Sequence, residues 1–263
     1  MRVAAYALML ACAVESGMVW SAQKAGTVTE LEGEVLVLDS QGTGRGLKPG
    51  AVVNVGDTVQ TGKTGQVHLR MQDDAYLAIR SNTRLTIQLY KAANRDDDGS
   101  VIQLLKGSFR AVTGWIGQIH PANYKVLTPT ASIGIRGTDH EPVFVPEEEA
   151  TEDSPAGTYD QVHDGGTVLE SEGSTVDVQP GKAGFAPLRQ APRLLAAIPA
   201  FLRNRPLLDA RLEAIKPELR ARVQEKLERM RSLRQELDER RQRRLRDLQP
   251  NIPHLPNLDR LHR

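Results

Sequence analysis

Val55-Gly56-Asp57-Thr58-Val59-Gln60-Thr61-Gly62 reads as a turn, a short strand and a second turn. Gly56 and Gly62 tolerate the backbone angles that tight turns need, Asp57 is a turn former, and Val59 puts an apolar side chain on one face between two polar neighbours. The same punctuation recurs as Leu47-Lys48-Pro49-Gly50, Leu105-Lys106-Gly107, Leu127-Thr128-Pro129 and Ile135-Arg136-Gly137-Thr138. Between these rungs the chain alternates apolar and polar residues, as in 66–71, 76–80 and 84–89. Such alternation predicts strands with one buried and one wet face. Turns at this spacing predict an all-β domain over 27–145. No rung supplies a nucleophile, a base or a metal-ligand set, so the ladder specifies a shape and a binding surface before any reaction.

Working outward, Gly33-Glu34-Val35-Leu36-Val37 followed by Leu47-Lys48-Pro49-Gly50-Ala51 is echoed by Gly166-Thr167-Val168-Leu169-Glu170 followed by Val178-Gln179-Pro180-Gly181-Lys182-Ala183. Each copy reads as a hairpin and a Pro-Gly turn. The β region is therefore expected to continue to 187, interrupted by an acidic loop at 146–157 that is expected to be mobile. Stacked hairpins fit either a β-sandwich or a short β-roll.

The character changes after Pro187. Prolines 187, 192, 199 and 206 make 188–206 a linker, with 194–202 apolar enough to lie back on the β domain. Leu212, Ile215, Leu219, Val223, Leu227, Met230, Leu233 and Leu237 then recur at three- and four-residue steps. That spacing predicts an amphipathic helix over 207–249, either one helix or two joined near Pro217, a residue suited to a first turn. The expected fold class is all-β with a C-terminal amphipathic α-helical extension. The tail 250–263 is expected to be disordered.

Charge is segregated. Net charge is +1, yet from Arg189 onward there are 19 Lys/Arg against 10 Asp/Glu, a balance of +9 that leaves −8 before it. Opposite signs attract, or divide the chain between partners. Aromatic residues make up only 4%, so the core is expected to be Val, Ile and Leu. Arg2, the apolar run 3–14 and the small pair Ser21-Ala22 predict a signal peptide within 1–25 and placement in the periplasm or outside the cell. Cys12, after Leu8-Met9-Leu10-Ala11, faintly echoes a lipoprotein signal; if instead an ordinary signal peptide spanning 1–25 is removed, no cysteine remains for a disulfide.

The ordered set of Gly33-Glu34-Val35, Pro49-Gly50, Gly56-Asp57-Thr58-Val59-Gln60-Thr61-Gly62, Lys106-Gly107, Thr128-Pro129 and Ile135-Arg136-Gly137-Thr138 resembles the FecR-domain family across 27–145. Its best-known members are periplasmic domains of iron-transport sigma regulators. The resemblance implies periplasmic placement and protein–protein engagement, and it names no ligand. Its structural motif residues here are Gly50, Gly56, Asp57, Thr61, Gly62, Gly107, Thr128, Pro129, Arg136, Gly137 and Thr138.

Chemistry is sparse. Asp139-His140-Glu141 lie on a strand or its end, where neighbours point to opposite faces and cannot converge on a metal. The six histidines show no zinc spacing, Gly107-Ser108 and Gly137-Thr138 lack the strand–elbow–helix context of a nucleophile, and Gly62-Lys63-Thr64 lacks a phosphate-binding loop. No catalytic, cofactor or metal residue is expected. Arg136, flanked by glycines, either holds a structural ion pair or meets an anionic partner group. The arginines of 240–246 form a solvated or partner-facing helix, with an anionic surface or nucleic acid as alternatives. The expected function is non-catalytic: an envelope binding, scaffold or signalling module whose partner is another envelope protein or a second copy met through the helix. The alternative is a protein that binds or modifies envelope glycans. For such an enzyme Asp57 and Asp139 are the carboxylates to examine.

Overall fold

In the computed structural model the described residues are 23–203 and 206–248. They form seventeen strands in two sheets. Sheet A runs β4 (Val52–Asn54), β1 (Lys24–Glu32), β6 (Gln66–Met71), β7 (Tyr76–Ile79), the second half of β9 (Gly99–Val112), β12 (Asp139–Val145), β13 (Gly157–Asp164), β16 (Ala183–Pro187) and β17 (Arg193–Leu194), all antiparallel. Sheet B runs β3 (Gly44–Gly46), β2 (Val35–Leu38), β5 (Thr58–Thr61), β8 (Arg84–Lys91), the first half of β9, β10 (Tyr124–Leu127), β11 (Ser132–Ile135), β14 (Thr167–Ser171) and β15 (Ser174–Val178). Among the described strands only β9 and β10 pair in parallel. The fold is mostly β-sheet with a C-terminal helix, as the alternation and the later stripe predict.

The long strand β9 joins the layers. Up to Lys106 it pairs with β8; from Gly107 it pairs with β7 and β12. The corner is Gly107, whose φ is +82°. A Cβ there would lie 2.6 Å from the Asn82 carbonyl oxygen, so only glycine turns this corner without strain. Between the sheets lies an aliphatic core that includes Val37, Val59, Leu69, Leu85, Ile87, Ile102, Leu104, Val126, Ile133 and Leu169. Each such side chain contributes about 1.5–3 kcal/mol by burial.

The sequence echo is a structural pseudo-twofold. The β2–β3 and β14–β15 hairpins occupy opposite edges of sheet B, and each returns to sheet A through a Pro-Gly turn with positive φ, +83° at Gly50 and +74° at Gly181. The bonds correspond: Gly50 N–H donates to Val28 and Gly181 N–H to Val162, each at 2.8 Å. In return Val28 and Val162 donate to the carbonyls of Ala51 and Lys182.

Several expectations need correction. Of the wet faces predicted for 66–71, 76–80 and 84–89, the one found is on sheet B, where β8 alternates between buried and exposed positions. On sheet A, β7 is buried at every position and β6 buries His68. The final helix covers that face at β7, where Leu212 and Leu219 pack on Tyr76, and the far end of the sheet is covered by the segment expected to be a linker. It adds β17 to the sheet edge and a short helix, α2 (Ala200–Arg203), whose Leu202 packs on Val143, Tyr159 and Phe185. A second short helix, α1 (Trp115–Ile119), sits between β9 and β10 where strand was expected, with Trp115 buried against the core. The acidic loop contains a 3-10 turn at Glu147–Glu149, and the Tyr159 hydroxyl donates to its Pro155 carbonyl at 2.8 Å. The final helix, α3 (Pro206–Leu248), is continuous, with Pro217 inside it rather than in a first turn. The predicted signal segment before Gln23 and the tail from 249 lie outside the described residues.

Candidate partner-binding surface

Polar residues on the outer face of sheet A are held in ion pairs. On β12, Asp139 and Glu141 are two apart and so share that face, while His140 points into the core. Arg110 on β9 grips Asp139 with two bonds of 2.8 and 2.7 Å. Arg80, just past β7, grips Glu141 with bonds of 2.7 and 2.9 Å. All four side chains are buried. Asp139-His140-Glu141 therefore divide between two faces as expected, but they form a buried stretch of strand rather than a polar strand end.

The first half of α3 latches onto this face. Lys216 Nζ lies 2.6 Å from Asp139, Glu213 accepts from Arg110 at 2.6 Å, and Arg220 donates to Asp164. Around these polar contacts Leu212, Ile215 and Leu219 pack on Tyr76 and Val112, and Val223 and Leu227 join the main core. Burial pushes the Asp139 carboxyl up, but the bonds from Arg110 and Lys216 outweigh it and hold the group below the ordinary value of 3.8.

Beyond Met230 every described side chain of α3 is exposed. This arm spans about 25 Å at 1.5 Å per residue. At 100° per residue, the face that carries Leu219, Val223 and Leu227 against the core continues as Arg234, Leu237, Arg241, Arg244 and Leu245. Glu236 and Glu239 turn away from it. Leu237 is 63% exposed and Leu245 56%. At the root of the arm a groove of about 590 Å³ opens between α3 and the segments 94–96 and 118–120, lined by Ile119, Leu227, Met230, Leu233 and Leu237. The predicted stripe thus has two regimes: docked to Leu227 and unpartnered from Leu233 within the described chain.

The motif residues named from sequence sit at separate turns. Gly50, Gly56 and Gly137 take positive φ. Asp57 accepts from Asn54 N–H at 2.9 Å and Arg45 at 2.6 Å. The Thr61 hydroxyl donates to the Arg80 carbonyl and accepts from Thr83 N–H, and Gly62 lies against Glu34. Thr128 closes its turn with Pro129 by bonding both Ala131 backbone groups, and Thr138 N–H donates to Thr113. These residues shape the sheets and do not assemble a site. Arg136 is exposed, 3.5 Å from Asp177, so the organising buried arginines are Arg80 and Arg110 instead. The i, i+2 carboxylates of β12 were the sequence signal for them.

Asp57 and Asp139 are each tied to a basic partner, and no cleft joins them in the described contacts. His140 Nδ1 lies 2.9 Å from Asp160, which also accepts from Thr167, but this pair is wholly enclosed between the sheets. No substrate reaches it. Buried Asp73 accepts from the Tyr90 hydroxyl and from Ala75 N–H; burial raises both the Asp73 carboxyl and the Tyr90 phenol. Among the described residues no group of three or more His, Cys, Asp or Glu side chains could hold a metal ion, and no helix is long and apolar enough to cross a membrane.

With the sheets and turns in place, the likeness to known proteins can be stated. Residues 57–154 match the FecR protein family. The match runs from the turn before β5 to the acidic loop, so the resemblance carried by the turn ladder holds over that stretch, while β1–β4 and α3 lie outside it. Two crystal structures of a candidate anti-sigma factor from Parabacteroides distasonis are similar at TM-score 0.43 and 10% identity, covering 56% of this chain and 62% of theirs. The chain thus spans less than two thirds of those neighbours. A cell surface anchoring domain is similar over 24% of this chain and 82% of its own, at 32% identity and TM-score 0.23. No curated protein matches the chain.

Proposed function

We propose that this chain is a non-catalytic signalling or regulatory module of the bacterial envelope, in which the FecR-like sandwich is the scaffold and the arm of α3 is the contact surface. One observation carries the reading: the arm leaves the sandwich with Leu237 and Leu245 exposed between arginines, on the face that is buried as far as Leu227. Exposed leucine of that kind, framed by arginine, is the composition of a protein contact. The latch of Lys216 and Glu213 fixes the direction of the arm and couples its position to the sheet. Export, expected from the first 25 residues, supports a working location in the periplasm or outside the cell. The test is retention of partner proteins from envelope extract by the full chain and by a chain ending at Met230. Arm-dependent retention supports the reading; equal retention by both contradicts it.

A further inference from the structure

We propose that the arm of α3 binds the acidic loop between β12 and β13 of a second copy of this chain. The inference rests on the reading that the arm is the contact surface and names its occupant. From 229 to 247 the arm carries eight arginines and four acids, and its sheet-facing side holds Arg234, Arg241 and Arg244 among leucines, with Asp238 as the acid at its edge. The loop is its electrostatic complement. Glu147, Glu148, Glu149, Glu152 and Asp153 are exposed, and 146–158 contains no Lys or Arg. Lys106 is the basic side chain that reaches it, at Glu149.

The two elements of one chain cannot meet. The loop lies at the Gly107 corner, because Phe144 pairs with Gly107 and Glu149 with Lys106. The arm leaves from the opposite end. Lys226 sits 6.0 Å from the Trp115 ring of α1, and Arg234 lies 4.0 Å from Asp96, beside the start of β9. From Gly99 to Gly107 β9 covers about 26 Å, and the arm runs on away from the corner. Two copies lying antiparallel bring each arm to the other's loop and close the assembly as a dimer.

Competing occupants fit less well. Two arms face to face would set arginine against arginine. A lipid surface wants a continuous apolar face, and Arg241 and Arg244 interrupt the leucines. The Asp96–Asp98 tip is engaged within its own chain: Asp96 by Arg234, Asp97 by Lys91, and Asp98 by the backbone N–H groups of Ala93 and Arg95.

Light scattering of the full chain tests this, with two variants: the arm variant R240E/R241E/R244E and the loop variant E147K/E148K/E152K. All six side chains are exposed, so each variant should melt with the wild type. The wild type should double in mass at about 50 mM salt and return to monomer at about 500 mM, since exposed charge pairs are screened. Each variant alone should stay monomeric, and an equimolar mixture should regain the doubled mass. A dimer that survives both reversals, or a mixture that stays monomeric, overturns the proposal. So does a monomeric wild type whose arm binds vesicles of phosphatidylglycerol and phosphatidylethanolamine. A monomeric wild type with arm-dependent retention of another protein overturns the second-copy occupant and leaves the arm as contact surface. A monomer with no arm-dependent binding overturns both.

Discussion

Gly107 and the Arg80–Glu141 pair show how single residues set this fold. Gly107→Ala puts a Cβ against the Asn82 carbonyl at positive φ and should cost about 2 kcal/mol or more in urea denaturation. Gly46→Ala in β3, where a Cβ would meet nothing within 4 Å, should stay within about 0.5 kcal/mol. Equal losses at both positions would contradict the role of the corner. Arg80→Met leaves the buried Glu141 carboxylate without its bidentate partner, with His163 3.9 Å away, and should cost about 3–5 kcal/mol. Adding Glu141→Leu should restore much of that loss, because the penalty lies in the abandoned charge and not in the missing bond. A double variant as unstable as the single would show that the pair does more than neutralise itself. The sequence displayed Gly107 openly, since Lys-Gly after a strand is turn chemistry. It concealed Arg80, which stands at a wet position of an alternating strand and is buried only because a distant segment covers that face.

At the scale of elements, α3 is two devices in one helix. Its docked half is held by mixed contacts, so acid should loosen it. Asp139 is held below 3.8 in the folded chain, so its contribution is complete above the unfolded value and lost as pH falls through the depressed one. Glu213 shifts in the same direction but is half exposed and adds less. Asp73 works with the opposite sign: its raised carboxyl favours folding at low pH and weighs against it as pH rises, so acid does not loosen the core at that point. Amide exchange should therefore show the docked turns opening below about pH 4 while the sheets stay protected. Lys216→Met should cost about 1.5 kcal/mol and move that opening to higher pH, since one of the two cations on Asp139 is gone. Opening of sheet and helix together would contradict a separable latch. The three- and four-residue stripe gave away the helix, but not where docking ends, because Leu227 and Leu237 are alike in sequence. Their difference is the edge of the sandwich, which only the assembled sheets define. Likewise α1 is too short to show a period, and its Trp115 reads equally well as strand.

Over the whole molecule, the echo of Pro49-Gly50 in Pro180-Gly181 became a pseudo-twofold of matching hairpins about β9, and the turn ladder became two sheets sharing one strand. What the ladder could not show was that the motif residues are architecture, spread over separate turns, while the leucines left exposed among arginines are on the helix. The charge asymmetry was legible from the start: acidic sandwich, basic extension. In the proposed function this extension makes the contact and the sandwich carries it. A photo-crosslinking residue placed at Leu237 on the arm, compared with one at Leu89 on the open face of sheet B, tests it most directly. Both positions are exposed, at 63% and 42%. Protein adducts should form in the native envelope from position 237 and not from position 89. Adducts from 89 with none from 237 would contradict it.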